Sequence, residues 1–248
     1  MLHVDPLILA TACFAAFLVG LGKGGLASMG TFAVPLMALT MSPIRAAAIL
    51  LPVFVFSDIF ALWAYRHHFS SRNLKILIPA ACVGITCGWA MASRVSDSAV
   101  AILVGMIGLG HCLNSWRLRR HPPVPHSADV PRGLFWGGVL GFASFVSHAG
   151  APPFQVYVMP QRLPKLIYAG TSAIAFAAVN ALKLVPYWAL GQFSADNLGL
   201  SLYMLVPALV GTQVGVRVVR IVPERGYYVF LQLALLAVSL ELILKGLR

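Results

Sequence analysis

The sequence predicts an all-α, polytopic membrane protein built as two inverted repeats, each a broken helical hairpin followed by three transmembrane helices. Three observations lead there. The chain of 248 residues is 59% hydrophobic and only 10% charged, where a soluble domain carries roughly 25% charged residues. Apolar runs of about 20 residues, the length of a bilayer crossing, recur along it and leave little room for a soluble domain. The order of runs in residues 1–118 then returns in residues 132–248.

The first element follows MLHVDP, which holds no Lys or Arg. A cleavable signal peptide needs a basic start and a small-residue cleavage site, so the first apolar run is expected to stay in the protein. That run, 7–41, is interrupted at Gly22-Lys23-Gly24-Gly25, and uninterrupted spans follow at 43–66, 73–93 and 97–118. Residues 119–131 form a linker with Arg119, Arg120, His121, Pro122, Pro123, Pro125 and Asp129. Such a chain cannot bury enough apolar surface to fold, so it is expected to be exposed. The second interrupted run, 133–160, breaks at His148-Ala149-Gly150-Ala151-Pro152-Pro153, and spans follow at 166–190, 197–216 and 225–246.

The two halves match in detail. Gly84-x-x-x-Gly88 followed by Val95-x-Asp97 parallels Gly211-x-x-x-Gly215 followed by Val222-x-Glu224, Asn73-Leu74 parallels Asn197-Leu198, and Pro43 parallels Pro164. The paired glycines are expected to let neighbouring helices approach closely. Cys13, Cys82, Cys87 and Cys112 lie in apolar stretches without metal-ligand spacing, and are expected to be buried as small hydrophobes.

A net charge of +11 in a soluble protein would point to nucleic acid. Here twelve of the eighteen Lys and Arg residues fall in four short segments: 66–75, 117–132, 162–165 and 217–225. The positive-inside rule puts these in the cytoplasm, and nucleic acid is not an expected partner. The second broken run then begins and ends in the cytoplasm at Arg132 and Arg162, and the first begins and ends outside. Each half crosses an odd number of times, which makes the repeats inverted. Arms of about 15 residues, roughly 22 Å of helix, fall short of the 30 Å hydrocarbon core, so the broken tips are expected at membrane depth.

Unwound backbone survives in a bilayer only where protein buries it or where it lines a wet cavity. Broken helices in inverted repeats mark a midplane transport site. Helices restarting after Gly25 and at Pro152-Pro153 would present free N–H groups and a positive dipole end to an anion. The candidate substrate-binding set is therefore Gly22, Lys23, Gly24, Gly25, Ser28, Thr31, Ser144, Ser147, His148, Gly150, Pro152 and Lys183. The Ser and Thr hydroxyls either contact the anion or bond their own helix. Lys23 is either a counter-charge or a side chain reaching water near a surface, and His148 either meets the anion or bonds a neighbour. Asp58 and Asn180 occupy nearly equivalent positions, one turn from Lys183 in the second case. Asp58 is expected to pair with Lys183 across the pseudo-symmetry axis or to couple transport to a proton. No metalloprotease, phosphate-loop or dinucleotide motif is present, and no metal or cofactor is expected. A membrane enzyme using His148, His67 or His68, and a cation carrier using Asp58, are the alternatives.

The run Gly20-Leu-Gly-Lys-Gly-Gly25 leading to Val34-Pro35-Leu36, with its counterpart Gly141-Phe-Ala-Ser-Phe-Val-Ser-His-Ala-Gly150-Ala-Pro-Pro, resembles the TauE/SafE family of sulfite exporters over nearly the whole chain. The resemblance implies a secondary transporter of a bacterial inner membrane that moves sulfite or organosulfonate anions, commonly outward.

Overall fold

The computed structural model describes residues 6–91, 94, 96–117 and 127–247. Arg119, Arg120, His121, Pro122, Pro123 and Pro125 of the linker, Val95 of the repeat match and Arg248 lie outside the described residues. The first half comprises α1 (Pro6–Lys23), a 3₁₀ segment (Ala27–Phe32), α2 (Ala33–Met37), α3 (Pro43–Tyr65), α4 (Ser71–Ala90) and α5 (Asp97–Arg117). The second comprises α6 (Val130–Ser147), α7 (Ala151–Val158), a 3₁₀ segment (Met159–Gln161), α8 (Lys165–Ala189), α9 (Ala195–Ile221) and α10 (Glu224–Leu247). Among the described residues α1, α3, α4, α5, α8, α9 and α10 are the seven helices long and apolar enough to cross a membrane. Ser42, Ser70, Asp129 and Ser194 set the starts of α3, α4, α6 and α9, each accepting from the backbone N–H three residues on.

The hairpin arms are unequal, which corrects the expectation of matched arms. Each hairpin enters on an 18-residue helix, α1 or α6. It returns on a short, partly 3₁₀ arm, six plus five residues in the first hairpin and eight plus three in the second. Both ends of the first hairpin meet where Thr11 and Thr40 hydroxyls lie 3.4 Å apart. Both ends of the second meet where the Tyr157 hydroxyl donates to Asp129 O at 2.9 Å.

Each entering helix is clasped by a helix of the other half. Along α1, Phe17 meets Gly211, Gly20 meets Ala208 and Thr212, and Gly24 meets Gly215, so α1 and α9 run parallel. Along α4, Leu77 and Ala80 meet Gly137, Ala81 meets Gly141 and Gly88 meets Phe145, so α4 and α6 run parallel. A Cβ on Gly84 or Gly211 would collide with the backbone of the facing helix, as close small-residue crossings require. Helices α5 and α10 run antiparallel, with Gly246 beside Ser98 and Gly105 beside Ser239 and Ile243. Helices α3 and α8 also oppose one another, Asp58 meeting Asn180 and the Tyr65–His68 end meeting Gly170.

The basic segments gather at one end of the bundle. Ser70 N donates to Thr171 Oγ1 there, Asn73 exchanges amide hydrogen bonds with Gln161, and Lys165 Nζ donates to Arg220 O and Val222 O. Arg45 lies at the opposite end, its Nε donating to Asn197 Oδ1. Large apolar side chains such as Leu39, Val83, Val185, Leu202 and Val206 cover the outside, the surface a bilayer would meet. Cys82 and Cys87 join that outer face rather than the core, while Cys112 is buried.

Candidate functional site

The first break is narrower than its glycine run. Gly22 and Lys23 are the last residues of α1, and regular helix is lost over Gly24–Leu26, with Gly25 at φ 110°. The chain resumes as a 3₁₀ turn rather than an α-helix, which corrects the expected helix restart. Gly22 lets this turn fold back, since a Cβ there would lie 2.8 Å from Gly30 N. The second break opens at His148, whose left-handed backbone (φ 55°) is unusual for a residue with a side chain. Gly150 caps α7, and Pro152 and Pro153 occupy its first turn, where a missing N–H costs nothing.

Lost helical bonds at the first break are replaced from other helices. The Tyr65 hydroxyl donates to Gly24 O at 2.6 Å and the Tyr227 hydroxyl to Gly25 O at 2.7 Å. Replacing either tyrosine by phenylalanine strands a buried carbonyl and should lower stability by about 1–3 kcal/mol in thermal unfolding. Four amides take no such partner: Ala27 and Ser28 at the first break, Gly150 and Ala151 at the second, have no acceptor for their N–H among the described residues.

Between the breaks lies a cavity of about 50 Å³. That is well above the roughly 10–15 Å³ needed to hold a water, so it has room for several water-sized groups. It is lined by Val19, Gly22, Lys23, Ala27, Gly30, Thr31, Phe54, Ser144, His148, Ala151, Phe176, Asn180 and Lys183. The hairpins also touch directly, Gln155 Nε2 donating to Ser28 Oγ at 2.5 Å.

Charge is distributed differently from the sequence expectation. Asp58 does not pair with Lys183. Its Oδ1 lies 2.6 Å from Lys23 Nζ, and its Oδ2 accepts from Asn180 Nδ2 at 2.8 Å. Lys23 ends α1 directly beside α3, so its side chain reaches the carboxylate and stays 6% exposed instead of extending to water. It also lies 5.1 Å from the centre of the Phe54 ring. Lys183, 1% exposed, points at the second break and has neutral acceptors only. These are Ser144 O at 3.3 Å, Ser144 Oγ at 3.2 Å and His148 Nδ1 at 3.5 Å. His148 stacks on Phe54 and meets the Tyr187 hydroxyl through Nε2 at 2.6 Å.

Seven of the expected residues thus converge on the cavity: Gly22, Lys23, Thr31, Ser144, His148, Asn180 and Lys183. Asp58 stands behind Lys23, and Ser28 is held by Gln155. Gly24 and Gly25 form the turn, and Gly150 and Pro152 start α7. Ser147 bonds Ala143 O within its own helix at 3.2 Å and does not line the space. His67 bonds Arg66 in the exposed loop after α3, and neither His67 nor His68 lines the cavity. Phe54, Phe176, Gln155 and the tyrosines were not foreseen. Tyr65 and Tyr187 had a signal, since Tyr65 follows Asp58 and Tyr187 follows Asn180 by seven residues, and each reaches a break.

No curated protein and no solved structure matches this chain. A family model described as Sulfite exporter TauE/SafE matches residues 12–242. With seven helices of bilayer-crossing length and that match over nearly its whole length, the chain belongs to the TauE/SafE sulfite exporter family and is a multi-pass membrane transporter of small sulfur-containing anions, not an enzyme.

Proposed function

We propose that the protein exports sulfite or an organosulfonate from the cytoplasm across a bacterial inner membrane by alternating access. The observation that carries this reading is Lys183, a fully buried side chain facing the cavity with no carboxylate in ion-pair contact among the described residues. A buried charge is costly unless compensated, and a bound anion would compensate it. The unpaired amides of Ala27 and Ala151, with the hydroxyls of Thr31 and Ser144, supply further donors around the same space.

The halves 1–118 and 132–248 are read as a duplicated, inverted pair. The antiparallel course of α3 against α8 and of α5 against α10, with hairpins closing at opposite ends, supports this. With the basic end in the cytoplasm, exit of an anion gains about 2.3 kcal/mol per charge for each 100 mV, inside negative. A membrane potential alone therefore drives export. Cation carriage finds no support, because Asp58 is engaged by Lys23 and Asn180.

Gly150→Leu provides the test. A Cβ there meets Ser144 Cβ at 3.0 Å, Phe176 Cε1 at 3.1 Å and Leu140 O at 3.4 Å on a right-handed backbone, so a larger side chain pushes on Ser144 and Phe176, two residues of the cavity wall. Efflux of labelled sulfite from proteoliposomes should fall at least about tenfold, the loss expected when a transport path is filled. Undiminished efflux from a well-folded variant would refute the tip assignment.

A further inference from the structure

We infer that this site admits one net negative charge, so that it takes singly charged sulfur oxyanions, bisulfite and the sulfonates, in preference to dianions of the same shape, and that Asp58 sets that limit. The inference rests on the sulfur-anion reading above and names which anions that reading covers.

The argument is a count of charges around the cavity. Lys23 and Lys183 line it, and among the described residues no carboxylate does. Lys23 is neutralised from behind by Asp58 at 2.6 Å. Lys183 makes no ion pair among the described residues, and Ser144 and His148 offer it only neutral acceptors, so an ammonium there faces the cavity without a carboxylate in contact. His148 adds nothing to the sum. An ammonium can only donate, so Nδ1 accepts from Lys183 and the ring proton sits on Nε2, facing the Tyr187 oxygen. The total is one uncompensated positive charge in a space walled by Val19, Phe54 and Phe176. A monoanion cancels it. A dianion leaves one negative charge in surroundings where unpaired charge is heavily penalised.

Asp58 is thereby a specificity-determining residue that acts through Lys23 and touches no substrate. Losing its charge would turn Lys23 into a second free cation and shift the optimum to a dianion. Losing both members of the pair would restore the original sum.

Methanesulfonate and sulfate provide matched probes, alike in shape and heavy-atom count and differing in charge. Each is titrated against labelled sulfite bound to the purified full-length protein at neutral pH. Wild type should release sulfite to methanesulfonate at least about tenfold more readily than to sulfate, the order of effect one charge produces at a partly shielded site. Asp58→Asn should reverse the order, and the double variant Lys23→Gln/Asp58→Asn should return it to that of wild type. Equal competition by the two probes in wild type, or loss of the order in the double variant, would overturn the inference even if Asp58→Asn fails to fold. Sulfite that does not bind wild type at all would instead count against the transporter reading itself.

Discussion

Replacing Lys183 by methionine should weaken sulfite binding by about a hundredfold or more and leave the empty protein at least as stable as wild type. A charge pair about 4 Å apart contributes on the order of 4 kcal/mol at an effective dielectric near 20, which more than covers that loss. Stability should not fall, because Lys183 is 1% exposed and makes no ion pair among the described residues. Exchanging an uncompensated buried cation for an apolar side chain of similar length is neutral or favourable. Thermal unfolding with and without sulfite reads both effects. A sulfite-induced shift equal to that of wild type would remove Lys183 from the binding site.

Gly24→Leu should act earlier, at folding. A Cβ at Gly24 would lie 2.6 Å from Gly215 Cα and 2.6 Å from Thr212 O, both backbone atoms of α9. No rotamer change relieves a clash with backbone, so α1 and α9 would have to separate. The cost should exceed the roughly 1–3 kcal/mol of ordinary overpacking. The yield of monodisperse protein after extraction should collapse, falling well below that of Gly150→Leu, whose nearest neighbours are side chains at 3.0 and 3.1 Å. Equal yields would mean that α1 and α9 do not cross this closely.

The contrast between these glycines marks where sequence reasoning stops. Helix positions were legible within a few residues because each span is a long apolar run between polar caps, as at Ser70 and Ser194. Both breaks were legible from glycine, proline and polar residues inside such runs. What each glycine does was not. Gly22, Gly24 and Gly150 look alike in one dimension, yet one admits a returning turn, one a crossing helix and one a cap. The Lys23–Asp58 pair was missed for a related reason: repeat symmetry pointed from α3 to α8, and only the folded hairpin brings the end of α1 against α3. Lys183 could be recognised as costly in a membrane, but its neutral surroundings depend on Ser144 and His148, which only folding brings alongside it.

The interleaving of the halves also bears on how the chain is made. Helix α1 finds its covering partner in α9 and α4 finds its own in α6, so the glycine-lined face of the first helix stays open until residues 195–221 have been synthesised. At about 5–20 residues per second, roughly 10–40 s pass between the two. During that interval lipid, or another membrane protein at the insertion site, must shelter the groove. The N-terminal half is thus a substrate for assembly well before it can be part of a transporter.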